Sequence, residues 1–427
     1  MIFKRSPLYY GWIIVGIGVI GMALTYGTRH SFSVFFSAIL DEFGWSRGST
    51  ALMLSLNILI YGFAAPFAGF LVDHWKPRRV LLAGVVMLSF TTALCAFASE
   101  LWHFYFLFGF LVPIGIAFSG WPVLAPTIAN WFSKKRGLAL GISGMGAGIS
   151  YVYGLFVEFV ISQVEWHYAY IVIGILLLVI LVPLYLLLYH YRPQDRGLKP
   201  YGSDLIATEK ATGIESSGGV IPNFSEWTLR RAAQTYQLWL LIASHSLHWG
   251  MAAYLVLAHQ VRFAIDVGYS SLFAASVFAI FGVFMTVGLL LGFISDWIGR
   301  EWTVTIANLL AIGAIVALIL VNDASQSWLL YIYAVCLGLG AGLFSPTITA
   351  GEADIFHGKS FGAIAGLSLA GVGVGSLMGP WLGGWIYDVS GSYVPAFFFC
   401  ITCFILSLVA FWIAAPRNAS RFAQIQK

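Results

Sequence analysis

Arg29 and His30 stand side by side in GWIIVGIGVIGMALTYGTRHSFSVFFSAIL, thirty residues that carry no other Asp, Glu, Lys, Arg or His. An arginine stays protonated and offers a planar fork of donors that fits a carboxylate. A histidine, with an ordinary pKa of about 6.5, changes charge in the physiological range and can carry a proton with an anion. Neighbouring helix residues diverge by about 100°, so one facing a cavity does not oblige the other to. Two alternatives stay open. Arg29 can snorkel to a headgroup layer if its helix ends near residue 28, and His30 can be a neutral hydrogen-bonded histidine between helices.

Other polar residues interrupt apolar runs in the same way. Glu158 breaks YVYGLFVEFVISQV and can pair with Arg29, take up a proton, or sit at a lipid interface. His245 and His248 lie three apart in LWLLIASHSLHWGMAAY, which puts them on one face of a regular helix. No carboxylate or cysteine stands at a spacing that would complete a metal site with them. Asn57 and Tyr61 are four apart and share a face. Trp121, the Tyr151–Tyr153 pair and the Tyr331–Tyr333 pair add aromatic donors that suit a small organic anion or, equally, an interfacial belt. Cys400 and Cys403 have CxxC spacing without a second ligand pair and read, with Cys95 and Cys336, as packing residues. The glycines of GISGMGAGIS (Gly141, Gly144, Gly146, Gly148) follow no strand, so they serve close helix approach rather than a nucleotide.

The elements that hold these residues follow from composition. The chain is 59% hydrophobic and 9% charged, with a mean hydropathy of +0.86. A soluble domain carries about 25% charged residues to keep a hydrated surface. An all-α integral membrane protein is expected, with twelve spans near 9–36, 47–71, 79–98, 102–131, 137–161, 168–190, 236–262, 271–295, 302–321, 327–351, 360–386 and 393–415. The amino terminus has basic residues before an apolar run but no small-residue cleavage site, so an uncleaved first span is expected.

Lysines and arginines orient the spans. Lys4, Arg5, Lys76, Arg78, Arg79, Lys134, Lys135, Arg136, Arg300 and Lys359 fall on one side, whereas the alternate loops carry only Arg47 and Arg262. Both termini and the polar 191–235 segment are therefore expected in the cytoplasm, with the protein in the inner or plasma membrane. Residues 191–235 form a Gly/Ser-rich linker between a 1–190 half and a 236–427 half.

The halves repeat. GFLVDHWKPRR from Gly69 matches GFISDWIGR from Gly292, and NWFSKKRGLALGIS from Asn130 matches DIFHGKSFGAIAGLS from Asp354. Asp73 to Asp296 is an offset of 223, and Gly137 to Gly362 one of 225. Two independent motifs at nearly one offset predict two parallel six-helix repeats, the architecture of halves that rock about a midplane site.

At those loops the chain resembles the major facilitator superfamily: Gly69, Asp73, Arg78 and Arg79 look like its signature between spans two and three, and Gly292, Asp296, Gly299 and Arg300 like the second copy. The resemblance implies gating, in which an aspartate at a helix end pairs with a basic residue or helix N-terminus in one state and releases it in the other. A closer resemblance is to the monocarboxylate-transporter and oxalate–formate branch. It rests on YYGWIIVGIG, on RHSFSVFF at 29–36 and on NWFSKKRGLALGISGMGAGIS, and covers the first half better than the second. It implies that His30, with Arg29 beside it, occupies a cationic position of the branch. Many members place an acidic–arginine pair in span eight; here AIFGVFMTVGLLLGFIS has no charge, so an anion-binding charge must come from elsewhere.

The expectation is a secondary transporter of a small organic anion, a monocarboxylate such as lactate or pyruvate, with proton symport by alternating access. Substrate contacts fall to Arg29, His30, Asn57, Tyr61, Trp121, Tyr151 and Tyr331, proton coupling to His30, Glu158 and His248. A carrier or exporter of neutral or cationic compounds, and an anion exchanger without protons, remain alternatives. No HExxH, GxSxG or intramembrane aspartate pair suggests an enzyme, and no ATP site, cofactor, metal or nucleic-acid partner is called for. The functional unit is expected to be the monomer in the bilayer.

Overall fold

The computed structural model describes residues 9–203, 227–356, 358 and 360–418. Among the described residues, twelve helices are long and apolar enough to cross a membrane: Gly11–Phe43, Arg47–Val72, Pro77–Phe97, Leu101–Trp131, Arg136–Gln163, Trp166–Leu187, Tyr236–Val267, Ser271–Ile298, Arg300–Ile319, Ser327–Ile355, Phe361–Ser390 and Val394–Ala414. They are numbered here as spans one to twelve. Spans two and eight start with a serine whose hydroxyl caps the first turn: Ser46 accepts the Ser49 N–H and Ser270 the Phe273 N–H, both at 3.2 Å. Pro77 opens span three, where its missing N–H costs nothing. Gly44 ends span one at φ +63°, the left-handed cap that glycine takes without strain.

Span one extends beyond the expected end at residue 36. A single turn at Ser31 divides Gly11–His30 from Phe32–Phe43, but the helix direction resumes and thirty-three residues are spanned. Arg29 is thus near the middle of the span and not at a headgroup layer. Other breaks have visible causes. Span four passes through a π segment, Tyr105–Leu111, just before Pro113, and breaks again at Gly120 before Pro122. Span seven has a π segment at Ser246–Ala253.

An even number of spans places the described ends, Tyr9 and Asn418, and the connection from span six to span seven on one face, called here the linker face. Spans one to six meet spans seven to twelve along three seams: span two against span eleven, span five against span eight, and the distal part of span one against span seven. At the centre of the five–eight seam, a Cβ on Gly148 would stand 2.1 Å from Thr286 Oγ1 and one on Gly282 would stand 2.5 Å from Tyr151 Cβ. Only glycine allows the backbones this close.

The described start of the linker is folded against the first six spans. Tyr201 donates its N–H to the Trp131 carbonyl at 2.9 Å and its own carbonyl accepts the Ser133 and Lys134 N–H groups. The Tyr9 hydroxyl donates to the Lys199 carbonyl at 2.8 Å. Lys4, Arg5 and Lys359, used above for orientation, lie outside the described residues.

Candidate functional site

Arg29 is 1% exposed at the junction of the two sets of six spans. Its Nε donates to Asn57 Oδ1 at 2.6 Å, and its guanidinium carbon stands 4.4 Å from the Tyr61 ring centroid and 5.7 Å from that of Tyr26. Aromatic faces offset part of the cost of a desolvated cation, by about 0.5–2 kcal/mol each. Its Nη2 has no hydrogen-bond partner. No carboxylate stands within ion-pair distance of Arg29 among the described residues. A buried guanidinium with one arm unfilled and no counter-charge has a free donor and a charge that an anion would satisfy, since leaving a buried charged donor unpaired is costly.

Asn57 holds the arginine because it is itself held. Its Nδ2 donates to the Phe108 carbonyl at 2.7 Å. Phe108 sits in the π segment of span four, and in that register its carbonyl would pair with the N–H of residue 113, which Pro113 lacks. Both bonds fix the amide so that its oxygen faces Arg29. Tyr61, one turn after Asn57, shares a 2.5 Å hydroxyl–hydroxyl bond with Tyr26.

His30 points to span five. The Ser150 hydroxyl donates to the Ala147 carbonyl, so it accepts from His30 Nδ1–H at 2.7 Å, which leaves Nε2 as the atom that gains a proton. The imidazole lies flat on Tyr151, with centroids 3.9 Å apart and planes 7° apart. Tyr151 in turn meets Phe278 and Phe281 of span eight edge-on. Arg29, His30, Tyr151, Tyr254 and Phe278 line one narrow cavity, with room for about one water molecule.

The other expected residues lie apart. Glu158 is buried near the distal end of span five, where Ser271 of span eight neighbours it, and it does not pair with Arg29. Trp121 is half-buried just after the Gly120 break, and no hydrogen bond or ring contact joins it to Arg29 among the described residues. Tyr331 is 42% exposed in the first turns of span ten, edge-on to Phe273, far along the chain's path from the cavity. His245 and His248 both face Phe344 of span ten but bond to different helices. His245 meets Ser368 of span eleven, and His248 donates from Nδ1 to Asn308 of span nine at 3.1 Å. His248 also stacks on Phe344 at 3.8 Å.

Of the gating candidates, Gly69 faces open space and Arg79 is exposed, while Arg78 Nε donates to the Tyr185 carbonyl at 3.0 Å. The Asp73 side chain lies outside the described residues. Arg300 binds Asp296 at 2.5 Å and Asp354 at 3.0 Å. That joins the linker-face ends of spans eight, nine and ten, and it connects the two repeated motifs of the second half. The inter-half ion pairs among the described residues are all on the opposite face: Arg47 to Asp266, and Arg262 to Asp41.

A family model described as Major Facilitator Superfamily matches residues 18–350 and 287–426. The chain belongs to the major facilitator superfamily. It is a secondary transporter, not an enzyme. Within the superfamily it is 25% identical to monocarboxylate transporter 13 of Rattus norvegicus, over 91% of this chain and 85% of that one. It is 26% identical to monocarboxylate transporter 11 of Homo sapiens, over 96% of this chain and 83% of that one. With monocarboxylate transporter 2 of Homo sapiens it shares 23% identity over 98% and 88%. The superfamily fold also matches a crystal structure of a bacterial homologue of the human lysosomal transporter Spinster, inward-facing and unoccupied. The TM-score is 0.67 at 17% identity, covering 97% of this chain and 98% of that one.

Proposed function

We propose that this superfamily member carries a small organic anion, a monocarboxylate, together with a proton, and that Arg29 binds the carboxylate. The observation that carries the proposal is the buried Arg29 guanidinium with an unpaired Nη2 and no carboxylate partner. The monocarboxylate transporters among its relatives support the substrate class. In the proposed cycle the anion takes the Nη2 arm of Arg29, while Asn57 and Tyr61 keep the fork in place. Tyr254, across the cavity from span seven, brings a hydroxyl from the other half. His30 Nε2 is the nearest group able to hold a proton beside the anion. Rocking of a 1–190 half against a 236–427 half, linked by residues 191–235, then exposes the site to either side. The linker face, which holds most of the loop lysines and arginines, is the cytoplasmic one, and a single chain is the functional unit.

The test is uptake of labelled lactate, pyruvate, acetate and oxalate into proteoliposomes under an inward proton gradient, with and without a protonophore. Accumulation of one acid that the protonophore collapses and Arg29→Gln abolishes supports the proposal. Equal uptake by the parent and by Arg29→Gln refutes the role of Arg29. Uptake that requires an internal counter-anion and ignores the protonophore replaces symport by exchange.

A further inference from the structure

We propose that Glu352, Ser368 and His245 form a proton-binding station in the last six spans, separate from the Arg29 cavity. The inference rests on the proton-coupled function above and adds to His30 a second group that holds a proton during coupling.

Glu352 of span ten is 2% exposed, and its Oε1 accepts the Ser368 hydroxyl of span eleven at 2.5 Å. No cation makes an ion pair with it among the described residues. A carboxylate inside a bundle of spans is costly unless a counter-charge balances it. The site is one positive charge short, and a proton is the smallest cation that supplies it.

Charges on the surrounding elements are committed elsewhere. On spans eight to ten, Asp296 and Asp354 hold Arg300. Glu301 of span nine, 4% exposed, accepts the Arg417 N–H at 2.9 Å, and the Arg417 guanidinium lies over Trp412. In the short helix before span seven, Arg231 lies over Trp227 and Arg230 is exposed. On span seven itself, His248 binds Asn308, and His245 is the titratable group that meets the Glu352 pair. Asp388, on span eleven, is at the opposite face.

The three groups form a line. The Ser368 proton is committed to Glu352, so His245 Nδ1–H donates to Ser368 Oγ, at 3.4 Å. Glu352 lies within a turn of the linker-face end of span ten, whereas His245 is the tenth residue of Tyr236–His245, roughly 14 Å along its helix. His245 is half-buried and Glu352 fully buried. A proton arriving at His245 Nε2 lets the Nδ1 proton pass to Ser368 Oγ, and the Ser368 proton pass to Glu352. One proton has entered and one carboxylate is neutralised. The hydrogen bonds then reverse direction, with the carboxyl O–H donating to Ser368 and Ser368 to Nδ1. Span eleven, which holds Ser368, packs along span two of the other half, so the change is made on a helix that moves when the halves rock.

The experiment compares the parent, Glu352→Gln and Arg29→Gln in proteoliposomes, measuring gradient-driven accumulation and exchange of labelled for unlabelled acid. Gln copies the neutral carboxyl, so Glu352→Gln should lose accumulation by about tenfold or more while exchange stays within about twofold of the parent. Ser368→Ala, which breaks the line and leaves the carboxyl, should slow accumulation and leave exchange unchanged. Accumulation by Glu352→Gln at the parent level overturns the station. Loss of exchange and accumulation together in a Glu352→Gln protein that stays monodisperse also overturns it, because the residue would then serve binding or folding. A parent that shows no gradient-driven accumulation refutes the coupled function itself, which distinguishes that failure from failure of the station alone.

Discussion

Arg47 at the start of span two lies 2.5 Å from Asp266 near the end of span seven, and so ties one set of six spans to the other. Its guanidinium also covers the Tyr387 ring of span eleven at 3.6 Å and accompanies a donor bond to the Tyr393 hydroxyl at 2.9 Å. Asp388 of span eleven accepts the Arg47 and Gly48 N–H groups at 2.9 and 2.8 Å, a carboxylate from one half on the helix N-terminus of the other. Arg262 adds Asp41 and Asp266 to the same chain of charges. The face away from the linker is closed by these contacts.

Breaking them should open that face. Partly exposed contacts of this kind contribute about 1 kcal/mol each. Asp266→Asn combined with Asp388→Ala should therefore shift the balance toward the open state by about 2 kcal/mol, roughly thirtyfold. Spin labels on Glu100→Cys and Asp323→Cys, exposed positions in far-face loops of the two halves, would report the change as a longer distance population. An unchanged distance distribution would mean that the helix seams alone hold the face shut.

The Arg29 site makes a graded prediction. Asn57→Ala removes the acceptor of Arg29 Nε and the donor to the Phe108 carbonyl, and leaves two buried groups unpaired. At about 1–3 kcal/mol for such a loss, KM for the transported acid should rise roughly tenfold or more. Tyr61→Phe keeps the ring under the guanidinium and loses only the bond to Tyr26, so its effect should be several times smaller. Arg29→Lys keeps the charge but not the fork and should behave more like Arg29→Gln than like the parent. Equal KM values for Asn57→Ala and the parent would show that the amide does not position Arg29.

Much of this site was legible from residue types. Arg29 and His30 stood out as charge in an apolar run, and Asn57 and Tyr61 as an i, i+4 polar pair. Other parts depend on backbone irregularities that leave no clear periodicity. The Asn57–Phe108 bond needs the π segment before Pro113. Tyr26 and Tyr254 are not among the residues singled out from the sequence. Tyr254 carried a signal, because it follows Arg29 by 225 residues, the offset of the repeat itself, and so holds the equivalent place in span seven. Glu352 lies just past the expected end of span ten at residue 351, and its burial comes from helices distant in sequence.

Arg300 makes a prediction about asymmetry between the repeats. It binds Asp354 and Asp296 and donates to Ser295 Oγ at 2.6 Å. In the first half Asn130 stands at the place of Asp354 in the repeated motif. Asp354→Asn should weaken the linker-face junction of spans nine and ten by about 0.5–1 kcal/mol, given the partial exposure of the pair. Hydrogen exchange at the last turn of span ten should then accelerate about two- to fivefold, while the last turn of span four keeps its rate. Acceleration at both would mean that the two junctions are coupled.

The five–eight seam gives the last prediction. A Cβ at Gly148 would lie 2.1 Å from Thr286 Oγ1 and 2.9 Å from the Thr286 backbone nitrogen. The hydroxyl can rotate away, but the backbone cannot, so Gly148→Val must push span five from span eight. Gly144, one turn earlier on the same span, has no atom within 4 Å of its Cβ position. Gly148→Val should abolish transport through loss of the closed seam, at a cost of about 1–3 kcal/mol typical of overpacking, whereas Gly144→Ala should transport as the parent does. Tyr151 is three residues further along and packs on Gly282 across the same seam, so the displacement would also move the ring on which His30 stacks. Transport and gel-filtration profiles of the two variants side by side check this: a Gly148→Val protein with parental transport would show that the halves need not approach this closely during the cycle.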